Sequence, residues 1–153
     1  MIRAIHHTAI STQDLERSRA FYRDLLGFRE VSTFAWKRGA ESADRVTGLV
    51  GSAAKVALLR LDNAFIELFE FESPQANPLD PDRPVCDHGI THLCIEVTEI
   101  DEEYERLSQA GMRFHTDPVD MGSGARATYG RDPDGNVIEL LQIPEGNAIA
   151  LEE

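Results

Sequence analysis

The chain is expected to be an α+β protein made of two tandem βαβββ modules, and three observations support this. His7-Thr8-Ala9-Ile10 and His92-Leu93-Cys94-Ile95, 85 residues apart (7 to 92), each open an apolar strand pattern that gives way to a helix pattern. Ile66-Glu67-Leu68-Phe69 and Ile138-Glu139-Leu140-Leu141 recur later in each half, each just after a turn. Between the halves, Glu72 to Gly89 holds Pro74, Pro78, Pro81 and Pro84, four of the seven prolines, and marks a structureless connector.

Taken in order, Ile2 to Ser11 reads as a strand. Asp14 then stands where a helix N-cap belongs, ahead of Leu15, Phe21, Tyr22, Leu25 and Leu26 at helical spacing, and Gly27 supplies the stop. These apolar residues are helix core rather than a cofactor box. A strand near Phe28 to Phe34, then a hairpin of Val56 to Leu61 with Ala64 to Phe71, completes the first module. Trp36 to Ala54, unique to this half, reads as a lid or a surface loop around Gly39, Gly48 and Gly51. The second module repeats the plan: strand Thr91 to Val97, a helix through Ile100, Tyr104, Leu107 and Ala110, a stop at Gly111, a strand near Met112 to Thr116, and a hairpin of Arg126 to Arg131 with Val137 to Ile143. The turn of that hairpin, Asp132-Pro133-Asp134-Gly135-Asn136, has the residues tight turns require. One domain over 1–143 is expected, with modules 1–72 and 90–143, a linker 73–89, and a tail 144–153 that carries no chemistry.

At 153 residues the chain suits one buried domain, or two small modules sharing a core. Hydrophobic content of 42% and charged content of 27% are those of a soluble globular protein. The 27 acidic against 15 basic residues give a net charge of −12, a field that repels phosphate backbones and anionic lipid heads. No nucleic-acid or membrane partner is therefore expected. Cys86 and Cys94 make no disulfide framework, and neither a leader pattern nor an apolar run of membrane-spanning length is evident, so a cytoplasmic location is expected.

Residues two apart on a strand share a face, so Glu67 lies with Phe65, Phe69 and Phe71, and Glu139 with Val137, Leu141 and Ile143. An ionised carboxylate in such company needs a partner. The histidines sit similarly, His7 between Ile5 and Ala9, His92 between Ile90 and Cys94. A lone strand histidine is more often structural than a ligand, and a lone strand glutamate usually faces solvent. The repetition of both at corresponding points of two modules favours function instead. Two imidazoles and two carboxylates, with positions left for water or substrate, suit an octahedral first-row metal better than closed tetrahedral zinc. His6, expected to point away from His7, and His88 and His115, near loops, are left out of this set. His115 or Tyr129 would line a substrate pocket if not used in packing, and Arg126, behind Gly122-Ser123-Gly124, reads as a solvated arginine before it reads as an anion contact.

At these residues, and through Phe21-Tyr22-Arg23-Asp24-Leu25-Leu26-Gly27 and Arg131-Asp132-Pro133-Asp134-Gly135-Asn136-Val137-Ile138-Glu139-Leu140, the chain resembles the vicinal oxygen chelate superfamily of glyoxalases, methylmalonyl-CoA epimerases, extradiol dioxygenases and bleomycin-resistance proteins. The resemblance implies paired modules curving into a cupped mixed sheet with flanking helices, whose cavity holds one divalent metal ion (Ni, Co, Mn, Zn or Fe) on His7, Glu67, His92 and Glu139. It implies a lyase or isomerase of glyoxalase or epimerase type, in which Glu139, with Glu67, is the base that takes and returns a proton beside a carbonyl. An Fe(II) extradiol-type dioxygenase using His7, His92 and Glu139, and a metal-free drug- or metabolite-binding protein, are the alternatives. The resemblance also implies a small-molecule substrate and a homodimer. Where similar bacterial glyoxalases carry an arginine for the glutathione carboxylate, this chain has Ser11, which weighs against glutathione. For an acyl-CoA, Lys37, Arg38, Arg45 and Lys55 are the available cations.

Overall fold

The computed structural model describes residues 1–122 and 124–151. Ser123 of the glycine-flanked segment, and Glu152 and Glu153 of the tail, lie outside the described residues. The chain divides into two compact units, Met1–Pro78 and Leu79–Glu153, with the division inside the proline-rich connector. Each unit carries one sheet.

In the first unit the order is β1 (His7–Ser11), α1 (Leu15–Arg19), β2 (Arg29–Trp36), α2 (Glu41–Thr47), β3 (Ala53–Leu61) and β4 (Ala64–Ser73). The sheet runs β1-β4-β3-β2, with β1 parallel to β4 and the other pairs antiparallel. The first strand begins at His7 rather than Ile2. Ile2 and Ile5 are almost fully exposed, so nothing apolar draws the preceding residues into the sheet. Asp14 caps α1 as expected, its carboxylate accepting from the Arg17 N–H at 3.0 Å. The helix continues as a π-helical turn over Ala20–Leu25 rather than as one uniform α-helix, and Gly27 follows at a φ of 80°. Leu15, Phe21 and Tyr22 are buried, together with Ile10, Ala57, Leu59, Ile66 and Leu68. These sheet residues alternate with the ones facing the other way, and burying a side chain the size of Leu68 stabilises the fold by about 1.5–3 kcal/mol.

The segment read as a lid or loop contains α2, which has no buried residue of its own. It is tied down by Asp44, whose carboxylate accepts from the N–H groups of Gly51 and Ser52, each at 2.8 Å, and from the Ser52 hydroxyl. Those bonds hold Asp44 below the usual carboxylate pKa, the Ser52 hydroxyl contributing most.

The second unit holds β5 (Leu93–Glu96), α3 (Ile100–Gln109), β6 (Arg113–Phe114), β7 (Val119–Asp120), β8 (Arg126–Arg131) and β9 (Val137–Gln142). Its sheet runs β5-β9-β8-β6, with β7 pairing β8, and again the first strand is parallel to the last. β7 is an addition to the sequence reading, two residues long and exposed. Ile100 and Leu107 bury one side of α3 at exposures of 1% and 0%, and Ile138 and Leu140 on β9 are equally covered.

The connector has irregular backbone, but its second part is pinned to this unit. Arg131 on β8, nine-tenths buried, donates to Gly135 O and to Arg83 O, each at 2.8 Å. Gly135, at a φ of 94°, approaches the Pro81 backbone so closely that a Cβ there would lie 2.4 Å from Pro81 Cα. Only glycine meets both demands.

Candidate functional site

The parallel pairing of first and last strands places a histidine beside a glutamate in both units. His7 is level with Phe65, two residues before Glu67. Leu93 is level with Ile138, so His92 falls level with Val137, two residues before Glu139. The outcome is two pairs of the same kind: His7 Nε2 lies 3.3 Å from Glu67 Oε2, and His92 Nε2 lies 3.0 Å from Glu139 Oε2. Both carboxylates are 16% exposed and the imidazoles 37% and 28%, so each pair remains reachable from solvent.

The duplication extends to the helix caps. Glu70, three residues after Glu67, accepts from the first helical N–H at Leu15 (2.8 Å), and Gln142, three residues after Glu139, accepts from the N–H of Ile100 (2.9 Å). Leu15 and Ile100 each stand eight residues after the histidine of their unit. In each unit the last strand thus presents its glutamate on one face and fixes the helix on the other. Glu70 also pairs with Lys55 at 2.9 Å, and its pKa is held low first by the Leu15 N–H and then by that lysine. Lys55 is accordingly paired on the face away from Glu67.

Around Glu139, Cys94 and Tyr129 are its direct neighbours on β5 and β8. Burial, then the charge of Glu139 and a hydrogen bond to it, push the Cys94 thiol up to about 12, so it remains a neutral donor. Tyr129 is likewise pushed up, by burial and by Glu139, and its ring lies 5.0 Å from that of His92. His115 joins this cluster: Arg131 Nε donates to its Nε2 at 3.2 Å, and its ring is edge-on to Tyr129 at 6.2 Å. Its pKa is lowered by burial and then by the charges of Arg131 and Arg113. Of the two pocket candidates, Tyr129 stands beside His92, and His115 stands beside Tyr129. Arg126 forms an exposed ion pair with Asp101, in keeping with its reading as a solvated arginine. His88 is exposed in the connector.

The expected orientation of His6 is corrected. It precedes β1, so strand alternation does not govern it, and its ring stacks on Phe65 at 5.1 Å with its Nδ1 2.9 Å from His7 Nδ1. No sequence period reveals that contact. The Glu70 and Gln142 caps, by contrast, were detectable from their equal offset behind the glutamates.

As donors the pairs fit a hard or borderline divalent cation. Two ligands about 2.1 Å from one ion and at right angles to each other lie roughly 3.0 Å apart, close to both separations observed. Each pair by itself offers only two donors, and among the described residues no group of three or more histidine, cysteine, aspartate or glutamate side chains stands together in a metal-holding arrangement.

The family model for the glyoxalase/bleomycin resistance protein/dioxygenase superfamily matches residues 4–140. The chain belongs to this superfamily. Superfamily relatives include 2-epi-5-epi-valiolone epimerase of Actinomyces sp, 30% identical over 150 residues that cover 94% of this chain and 81% of the relative. Among solved structures, a glyoxalase family protein from Bacillus cereus superposes with a TM-score of 0.85 at 24% identity, covering 93% of this chain and 95% of that one. The fosfomycin resistance protein FosX of Listeria monocytogenes, solved with Mn(II) and sulfate, superposes with a TM-score of 0.62 at 18% identity, covering 95% and 96%. The α+β class and repeated modules expected of the superfamily are those described above, and no helix among the described residues is long and apolar enough to cross a membrane.

Proposed function

We propose that the chain is a divalent-metal-dependent lyase or isomerase of glyoxalase or epimerase type, and that His7, Glu67, His92 and Glu139 together hold one ion. The observation carrying this is the repeated pair: the same two residue types, in the same strand register, at separations of 3.3 and 3.0 Å, in the two units. Isolated surface pairs have no reason to recur with their helix caps in step. The relationship to an epimerase supports the reaction class. A manganese-bound relative supports the choice of a first-row ion.

When bound, the cation supplies Lewis acidity at a substrate carbonyl and so eases loss of the neighbouring proton. Glu139 is the proposed base. It is reachable from solvent, is hydrogen-bonded by a thiol that stays protonated, and lies beside a phenol that also stays neutral. Neither neighbour competes for the proton as an anion. Glu67, without a cysteine or tyrosine opposite it, faces Ala9 and Leu58 and serves first as a ligand. The two modules, 1–72 and 90–143, act as one catalytic domain in this reading, in a cytoplasmic homodimer acting on a small-molecule substrate. Ser11 argues against glutathione as a carrier.

The test is exchange of the carbon-bound protons of hydroxyacetone with deuterated water, followed by NMR, set beside oxygen uptake with catechol. Metal-dependent exchange abolished by a chelator supports the lyase or isomerase. Oxygen uptake with ferrous iron and no exchange would replace it with the dioxygenase.

A further inference from the structure

The sheet face that carries Glu67 also carries a wall of aromatic rings that this chemistry does not use. Moving from Glu67 toward the far end of β4, the next row across the sheet holds Phe34, Val56 and Phe69, and the row after it Trp36, Ala54 and Phe71. Phe69 and Phe71 stack at 5.6 Å with their planes 10° apart. Trp36 meets both edge-on, at 6.2 and 6.1 Å, and Phe34 stacks on Trp36 at 6.3 Å. The indole N–H donates to Ser52 Oγ at 2.9 Å, and Ser52 donates in turn to Asp44. The indole plane is therefore fixed, and it offers an incoming group a ring face rather than a hydrogen bond. Phe34 is 50% exposed on the edge strand, so the wall is open at that end. Arg60, in the row on the other side of Glu67, donates to Asp62 O and lies 5.3 Å over Phe65. That cation is engaged away from the wall, and the nearest charge on this face of β4 is the Glu67 carboxylate, which repels anions.

We infer that this wall is the specificity subsite for an uncharged ring, aromatic or alicyclic, carried by the substrate beside its paired oxygens. Successive rows on one face lie about 7 Å apart. A ring lying over Phe69 and Trp36 is then attached to the reacting carbon directly or through one or two atoms. The inference rests on Glu67 belonging to the reacting site, while the rings themselves all lie in the first unit.

The test is calorimetric titration of the metal-free full chain with 2-hydroxyacetophenone and with hydroxyacetone, which share the same oxygens and differ by phenyl in place of methyl. The aryl compound is expected to bind about tenfold more tightly, the scale of one or two ring contacts. Trp36 is the sole tryptophan, so its emission should change as the ring binds. Phe34→Ala, at a half-exposed position that does not hold the core, is expected to reduce the aryl preference about threefold, and Trp36→Leu to remove most of it. Equal affinity for the two compounds, or a preference that both variants leave intact, overturns the inference. So does a Phe34→Ala effect confined to concentration-dependent self-association, which assigns the wall to a second copy of the chain. Because the titration uses no metal, failure of metal binding in a separate measurement removes the lyase reading, whereas loss of the aryl preference with metal binding intact removes the ring subsite alone.

Discussion

Arg131→Met is the most informative single perturbation of the second unit. Arg131 is 9% exposed, and its guanidinium donates to Gly135 O, Arg83 O and His115 Nε2, joining the β8–β9 turn, the connector and the His92 cluster through one side chain. Methionine fills much of the same volume but leaves two carbonyls without their donor. With bonds to charged groups at about 1.5 kcal/mol each, the low end of their range, the loss is about 3 kcal/mol. Thermal unfolding should shift down by about 6–12 °C for a chain of this size. A second readout is specific to the site. His115 is held below its usual pKa by burial and then by the charges of Arg131 and Arg113, so removing Arg131 should move its NMR titration to higher pH. A melting shift under about 2 °C together with an unmoved His115 titration would refute the role assigned to Arg131.

Asp44→Asn should lower the melting temperature at neutral pH and not at strongly acidic pH. The folded-state pKa of Asp44 is depressed, so its contribution is present above its unfolded value near 3.8 and is lost as pH falls through the lower folded value; a difference from wild type that stays constant from pH 7 to pH 2.5 would contradict this. Gly135→Ala combines a left-handed backbone with a clash against Pro81 and should cost at least about 1–2 kcal/mol in denaturant unfolding from the backbone alone, whereas an unchanged midpoint would show that the connector does not dock there. Glu139→Gln should reduce carbon-bound proton exchange by roughly 10²–10⁴-fold while the protein remains folded by circular dichroism, and retained exchange would remove Glu139 as the base.

The parts of the site that could be read in the sequence are those set by strand alternation. His7, Glu67 and Glu139 each lie on a strand whose period of two fixes their face, His92 stands one residue before β5, and the duplication singles out these four among the many polar residues. What pairs with what across strands is non-local. Cys94 and Tyr129 flank Glu139 only through register, and Arg131 reaches His115 and Arg83 only through folding, so no local pattern announces them. Helix α2 was missed for a different reason. It buries none of its residues and so has no amphipathic period to detect, and what holds it is the side chain of Asp44 bonded to residues that follow the helix. The first strand was drawn too long because Ile2 and Ile5 look like core in the sequence yet are exposed. The π-helical turn over Ala20–Leu25 keeps Phe21 and Tyr22 inside, which is why helical spacing still placed them correctly.

Metal stoichiometry decides between one shared site and two independent pairs. Manganese or nickel titrated into the purified full chain and counted by mass spectrometry should saturate at one ion per chain, and His7→Ala and His92→Ala should each abolish that single site although they alter different units. Binding that survives in either variant, or that saturates at two weak ions per chain, would mean the histidine–glutamate pairs act separately and that no common ion joins them.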